Sequence, residues 1–396
     1  MEQPLDGVTV VALEQAVAAP LATRHLADLG ARVIKVERTG RGDFARDYDR
    51  VVHGTGAHFV WLNRGKESLA VDLKSPEGVA VVRSLIGTAD VFVQNLAPGA
   101  AARLGLGADE LRAAHPALVT VSLTGYGVGG PYEQRKAYDM LIQAEAGLVS
   151  ITGTPGTPSK TGIPTSDIAA GMYCVQSVLA ALLRRGRTGV GAAVDVSMLE
   201  ATVEWMGYPL YTSLYTGVQP ARMGLSHTAI APYDSYPTTD GRILIGVQND
   251  SGWRTLVTTV LGVPELADDP RFATNVDRVR HRAECDAAVA EQSAKWSTAE
   301  LDARLAAAGV PAADVRELDE VIAHPQLAAR DRWREIRTEN ATVKALLPPV
   351  TFADVEARMG DVPALGAHTT ALLREAGLTA AQADDLLARG VAEQAA

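Results

Sequence analysis

A single acid stands where a loop gives way to a helix. In the stretch GIPTSDIAAGMYCVQSVLAALLRRGRTGVG, Asp167 follows Gly162, Pro164, Thr165 and Ser166. It precedes Ile168, Met172, Val175, Leu179 and Leu182, which recur at spacings of four, three, four and three. That spacing predicts one apolar helical face, closed by Arg-Arg-Gly and a Gly-rich turn. A carboxylate in this place has two readings. As an N-cap, its side chain accepts a bond from an unpaired backbone N–H. As a reactive carboxylate, it is favoured in its ionised form by the positive end of the helix.

The elements that must position Asp167 read as alternating strand and helix. VTVVAL is a β-branched run, APLATRHLADLG a helix stopping at Gly30, and ARVIKVE a second strand. GVAVVRSLIGTA (helix), DVFVQNL and ALVTVSLTGYG (strands), and later AAVDVSML (strand), continue the pattern. Apolar strands separated by helices imply a parallel sheet covered on both faces. Glu37 at the end of the second strand invites a dinucleotide reading, but the turn EQAVAAPLA has no G-x-G-x-x-G and therefore no glycines to admit a pyrophosphate. Residues 199–225 read as helix and then loop, with a linker-like stretch near 215–232. APYDSYPTTDGRILIGV is a hairpin-like pair of strands around Thr-Asp-Gly. Helical segments fill about 251–310, and the tail carries two short helices separated by Gly-Leu-Thr.

At 396 residues the chain is long enough for two or three domains. A net charge of −10 argues against a nucleic-acid surface, while leaving room for local cations that meet a small anion. The two cysteines, Cys174 and Cys285, have no metal-ligand spacing and suggest a reducing compartment. MEQPLDG lacks the basic and apolar regions of a signal peptide, and no apolar run stands out as long enough to span a bilayer. The expectation is a cytoplasmic protein without nucleic-acid or membrane partners.

Eight segments, in order along the chain, carry a resemblance. They are LADLGARVIKVER, NRGKESLAVDLKSPEG, ADVFVQNLAPGAAARLGL, LTGYGVGGPY, GIPTSDIAAGMY, TGVGAAVDVSMLEA, ADDPRFATNVDRVRHR and LGAHTTALLREAGL. Together they make the chain similar, from end to end, to the class III CoA-transferases, the group of formyl-CoA transferase and carnitine CoA-transferase. The resemblance implies an α/β fold: a Rossmann-like large domain built from both termini, a smaller α+β domain inserted between them, and two chains interlocked as a homodimer. On that pattern residues 1–200 begin the large domain, 201–225 form a linker, 226–325 the small domain, and 326–396 return to complete the first.

The resemblance also implies roles. The family's nucleophilic Asp falls on Asp167, whose carboxylate would attack an acyl-CoA thioester and carry the acyl group and then CoA in turn. Coenzyme A would be a co-substrate, with no cofactor held permanently and no metal. Arg38, Lys74, Arg103 and Lys136 fall on CoA-contacting positions, where fixed cations meet phosphates. Ala18, Val71 and Asn95 fall on backbone or adenosine-side positions, and Tyr138, in the KAYDM segment with Lys136, is counted with the CoA-binding residues.

Two departures bear on substrate. Val17 replaces the Gln that formyl-CoA transferase carries beside the Ala18 position, and no run of glycines follows residue 200. RMGLSHTAIAPYDSYPTTDG stands there instead, with His227 as a candidate substrate contact and Arg222 and Ser226 beside it. The run SMLEATVEWMGYPLYTSLYTG looks like that of transferases moving CoA between succinyl-CoA and small dicarboxylic acids such as itaconate, malate or citramalate. Two rival readings share the fold. An α-methylacyl-CoA racemase needs a His where Tyr138 stands, and Tyr is a poor proton carrier near neutral pH. A catalytically silent CoA-binding protein would be expected to have lost Asp167.

Overall fold

The computed structural model describes residues 2–395. Its strands in chain order are β1 (Thr9–Leu13), β2 (Arg32–Glu37), β3 (Lys66–Val71), β4 (Val91–Gln94), β5 (Val119–Thr124), β6 (Gly153–Thr154) and β7 (Thr157–Pro158). They continue with β8 (Ala193–Ser197), β9 (Tyr233–Pro237), β10 (Arg242–Gly246), β11 (Ala312–Asp314), β12 (Trp333–Arg337), β13 (Thr342–Leu346) and β14 (Ala392–Glu393). The chain divides into two compact units, one of Met1–Leu148, Lys160–Tyr208 and Ala329–Ala396, the other of Val149–Ser159 and Pro209–Ala328.

The first unit is built on a seven-stranded sheet in the order β14-β3-β2-β1-β4-β5-β8. All pairs are parallel except β14 against β3, where Ala392 lies opposite Val71. Strand alternation divides the core. Val10 and Ala12 of β1 pack with the helices Ala18–Asp28 and Thr165–Thr188, while Val11 and Leu13 pack with Pro76–Gly87 and with Leu372 and Leu386 of the tail. Period-two side chains on a twice-covered sheet require this division. The strand order reverses direction at β1, between β2 and β4, and in such sheets ligands bind outside the carboxyl ends at the reversal.

Three features depart from the sequence pattern. β3 was not legible as a strand because Lys66 and Ser68 look solvent-facing, yet both are buried. The Lys66 ammonium donates to Glu14 Oε1 (2.7 Å), to the Pro20 carbonyl (3.0 Å) and to Asn63 Oδ1 (3.0 Å). The helix after Asp167 runs through Gly186 to Thr188 and ends at Gly189 in the left-handed region (φ 71°). With 24 residues and a window of mean hydropathy 1.4, it is long and apolar enough to cross a bilayer, where the sequence had suggested no such run. Here Ala169, Ala170, Cys174 and Val178 of that helix are fully buried in the core of the first unit.

The second unit holds the antiparallel sheet β11-β10-β9 over a core of Tyr236, Ile245, Trp253, Phe272 and Leu301. The segment 149–159, read with the first 200 residues in the sequence, groups with this unit. Arg222 clamps it there, donating to the carbonyls of Thr154 (3.1 Å), Ser150 (3.1 Å) and Pro155 (3.0 Å).

Candidate active site

Asp167 is the third residue of its helix, which starts at Thr165 with Pro164 at the N-cap position and no side-chain cap from that residue. The capping reading of Asp167 is therefore corrected. Asp139 supplies the acceptor: its Oδ1 takes bonds from the backbone N–H of Ser166 (2.8 Å) and Asp167 (3.2 Å). Its Oδ2 accepts from Gln143 Nε2 (2.6 Å), one turn along its own helix. Among the described residues the Asp167 carboxylate has no hydrogen bond of its own, and it is partly buried.

The charge state also differs from expectation. Burial first, and the neighbouring Asp139 second, push the Asp167 carboxyl from its ordinary 3.8 to about 7. The helix terminus was expected to keep it ionised, but its N–H groups are already turned to Asp139, and desolvation outweighs the dipole. Tyr48 belongs to this neighbourhood, a residue the sequence gave no reason to single out. Its phenol is pushed up by burial, then by Asp43, Asp167 and Tyr138. Tyr48, His58 and Trp61 meet edge to face, with ring centroids 5.7 and 6.4 Å apart. Tyr138 is 72% exposed, at the N-cap position of Asp139's helix.

The helix of Asp167 packs on the first turn of Ala18–Asp28. Val17, Leu21 and Leu62 form a small apolar cluster against Ile168. At Gly171 an added Cβ would lie 2.7 Å from the Ala18 carbonyl oxygen, so only glycine permits this approach.

The other residues singled out in the first unit collect at the carboxyl ends of its strands. Ala18 opens the helix after β1, Arg38 follows β2, Val71 ends β3 with Lys74 three residues on, and Asn95 follows β4. Arg103 closes the short helix Ala100–Arg103 beyond β4. Arg38 is exposed, stacks on Phe44 at 4.5 Å and donates from Nε to the Gly42 carbonyl (2.8 Å). Lys74, Arg103 and Lys136 are exposed, and Lys136 lines an open cleft with Tyr126, Arg135 and Leu141. Ala18 and Val71 are buried, so only their backbone could face a ligand. Asn95 turns its amide to Gln15, donating to its carbonyl (2.9 Å) and accepting from its N–H (3.0 Å). Among the described residues no group of three or more His, Cys, Asp or Glu side chains could hold a metal ion.

His227 lies in the second unit. Its ring stacks on Tyr233 (centroids 5.4 Å apart), and Nδ1 accepts from the Ala229 N–H (3.1 Å), which leaves the proton on Nε2. Ser226 bonds Asp234, and the Arg222 donors are spent on carbonyls, so neither is a free partner for a ligand carboxylate.

Comparison with known proteins bears on this arrangement. The family model for CoA-transferase family III matches residues 5–369. The succinate–glutarate CoA-transferase of Agrobacterium fabrum is 36% identical over 382 residues, covering 94% of this chain and 95% of that protein. The human succinyl-CoA:glutarate CoA-transferase is 34% identical over 399 residues, covering 99% and 90%. A crystal structure of a CAIB/BAIF family protein from Brucella suis superposes with a TM-score of 0.83 at 36% identity, covering 95% of this chain and all of that one.

Proposed function

Since the chain belongs to CoA-transferase family III, we propose that it moves CoA from succinyl-CoA to a small dicarboxylic acid through covalent intermediates on Asp167. The observation that carries the nucleophile is the division of labour at the helix start. Asp139 takes the backbone N–H bonds and leaves the Asp167 carboxylate without a hydrogen-bond partner among the described residues. A carboxylate with its basicity raised toward neutrality is a better nucleophile than a solvated one, provided its ionised fraction remains appreciable.

The exchange balances in four steps. The Asp167 carboxylate attacks the thioester carbonyl, the C–S bond breaks, and a mixed succinyl–aspartyl anhydride and CoA thiolate result. The thiolate then attacks the aspartyl carbonyl, releasing succinate and leaving an aspartyl-CoA thioester. The acceptor carboxylate attacks that thioester, giving a new mixed anhydride and thiolate. Attack of the thiolate on the acceptor acyl carbon yields the new acyl-CoA and restores Asp167. Each mixed anhydride lies uphill of the thioester it comes from and is consumed by the thiolate just released, and the overall exchange runs from one thioester to another with no net proton transfer.

Arg38, Lys74, Arg103 and Lys136 would meet the phosphates, and all four are exposed cations. Likeness to enzymes named for succinyl-CoA and glutarate supports the dicarboxylate class, so glutarate is a candidate acceptor together with itaconate, malate and citramalate. In this reading the protein works as a homodimer. Exposure of Tyr211 (64%), Leu214 (72%) and Tyr215 (78%) on one helix supports a covering partner.

The test is incubation with succinyl-CoA and a panel of carboxylic acids, with new CoA thioesters recorded by mass spectrometry. Trapped protein should carry CoA on the peptide holding Asp167. Formation of no dicarboxyl-CoA, or transfer only to formate, oxalate or carnitine-like acids, would overturn the substrate reading.

A further inference from the structure

The turn after β1 is held in an unusual shape by side chains from two other strand ends. Ala16 lies in the left-handed region (φ 65°), which L-residues with a Cβ disfavour. On one side stands Asn95, after β4, whose amide makes both of its bonds to the Gln15 backbone, as a strand partner would. On the other stands Asp43, after β2. Its Oδ1 accepts from the Ala16 N–H (2.9 Å) and from the Ala45 N–H (3.0 Å), and its Oδ2 accepts from Lys35 Nζ (2.7 Å). The Asp43 and Lys35 side chains have no solvent exposure, and Glu14 and Lys66 extend the buried charge network beneath the same turn. A turn satisfied by neutral backbone alone would need none of these groups.

The turn delivers Val17 and Ala18. Val17 packs in the cluster with Ile168, the residue after Asp167, and the Ala18 carbonyl is where the Asp167 helix approaches at Gly171. We propose that Asn95 and Asp43 are positioning residues, which fix the first turn of the Ala18–Asp28 helix and through it the start of the helix that carries Asp167. This rests on the reading of Asp167 as the nucleophile of a CoA-transferase. It also reassigns Asn95, which resemblance places on the adenosine side. With one donor and one acceptor engaged by the Gln15 backbone, the amide is committed to the turn, and its substitution acts on the chemical step.

The two assignments separate in kinetics. Asn95→Ala should lower kcat at least tenfold in the succinyl-CoA exchange, while the Kd for CoA, measured by calorimetry, moves less than threefold. Ala16→Val disfavours the same turn without touching either clamp, and should give the same split. It keeps the test alive if Asn95→Ala does not fold. Asp43→Asn retains an acceptor for the Ala16 N–H and should keep more of kcat than Asp43→Ala. A tenfold rise in Kd with kcat retained in Asn95→Ala would make Asn95 a nucleotide contact and overturn the proposal. So would full activity in both Asn95→Ala and Ala16→Val. Asp167→Ala, run in parallel, distinguishes the two levels: if it stays active, the nucleophile reading itself has failed.

Discussion

Asp139 and Asp167 share the start of one helix: the carboxylate of the first accepts the N–H of the second at 3.2 Å, together with that of Ser166 at 2.8 Å. One acid accepts both backbone donors, while the other, partly buried beside it, is pushed up to about 7. The first carboxyl serves the helix start, and the second is left without a hydrogen bond among the described residues, as the proposed nucleophile requires.

The first expectation is a pH profile. In the free enzyme Asp167 must be ionised to attack, so kcat/KM should rise with pH along a one-proton limb centred near 7. Asp139→Asn keeps an acceptor for the two N–H groups and removes the repelling charge, and the limb should move to lower pH. A limb that stays in place in Asp139→Asn would show that the neighbouring charge is not what raises Asp167.

Asp167→Ala and Asp167→Asn should abolish exchange while the protein stays folded and binds CoA. Stability supplies a second readout. The folded carboxyl protonates near 7 and the unfolded one near 3.8, so between these values the native state holds the extra proton. Stability therefore falls as pH rises through that window and levels off above it. Asp167→Asn should be more stable than the native sequence at pH 8, on the order of 2 kcal/mol once solvent screening is allowed for, and about equal to it near pH 3.5. Thermal or urea melts across pH check both the sign and the window.

Arg38→Ala and Arg103→Ala should each weaken CoA-thioester binding by about tenfold or more, the range of about 1.5–3 kcal/mol for a hydrogen bond to a charged group, with kcat of the bound complex little changed. Isothermal titration with CoA and with dephospho-CoA checks this. Unchanged Kd in both variants would move the nucleotide elsewhere.

His227 presents a proton on Nε2, because Nδ1 already accepts from Ala229. If that proton meets the free carboxylate of the acceptor, His227→Ala should raise the acceptor KM for dicarboxylates several-fold and leave that for a monocarboxylate of similar size unchanged. The preference for dicarboxylates would narrow accordingly. Equal effects on the two acceptor classes would confine His227 to packing on Tyr233.

Local pattern alone determined much of this molecule. The β-branched runs of β1, β2, β4, β5 and β8, and the helices Ala18–Asp28, Pro76–Gly87 and Thr165–Thr188, are legible because each side chain's fate follows from a period of two or 3.6. The two strands around Thr-Asp-Gly pair as read, and Asp167 opens a helix as its apolar spacing requires. Other features depended on groups distant in the chain. Lys66 and Ser68 concealed β3, since nothing local reveals that Glu14 and Glu37 wait to receive them. The cap at Ser166 comes from a carboxylate 27 residues away, and the clamp on Gln15 from an amide 80 residues away. Burial and the approach of one charge to another are properties of the folded interior, so the charge of Asp167 and the task of Asn95 were decided only when the strand ends came together.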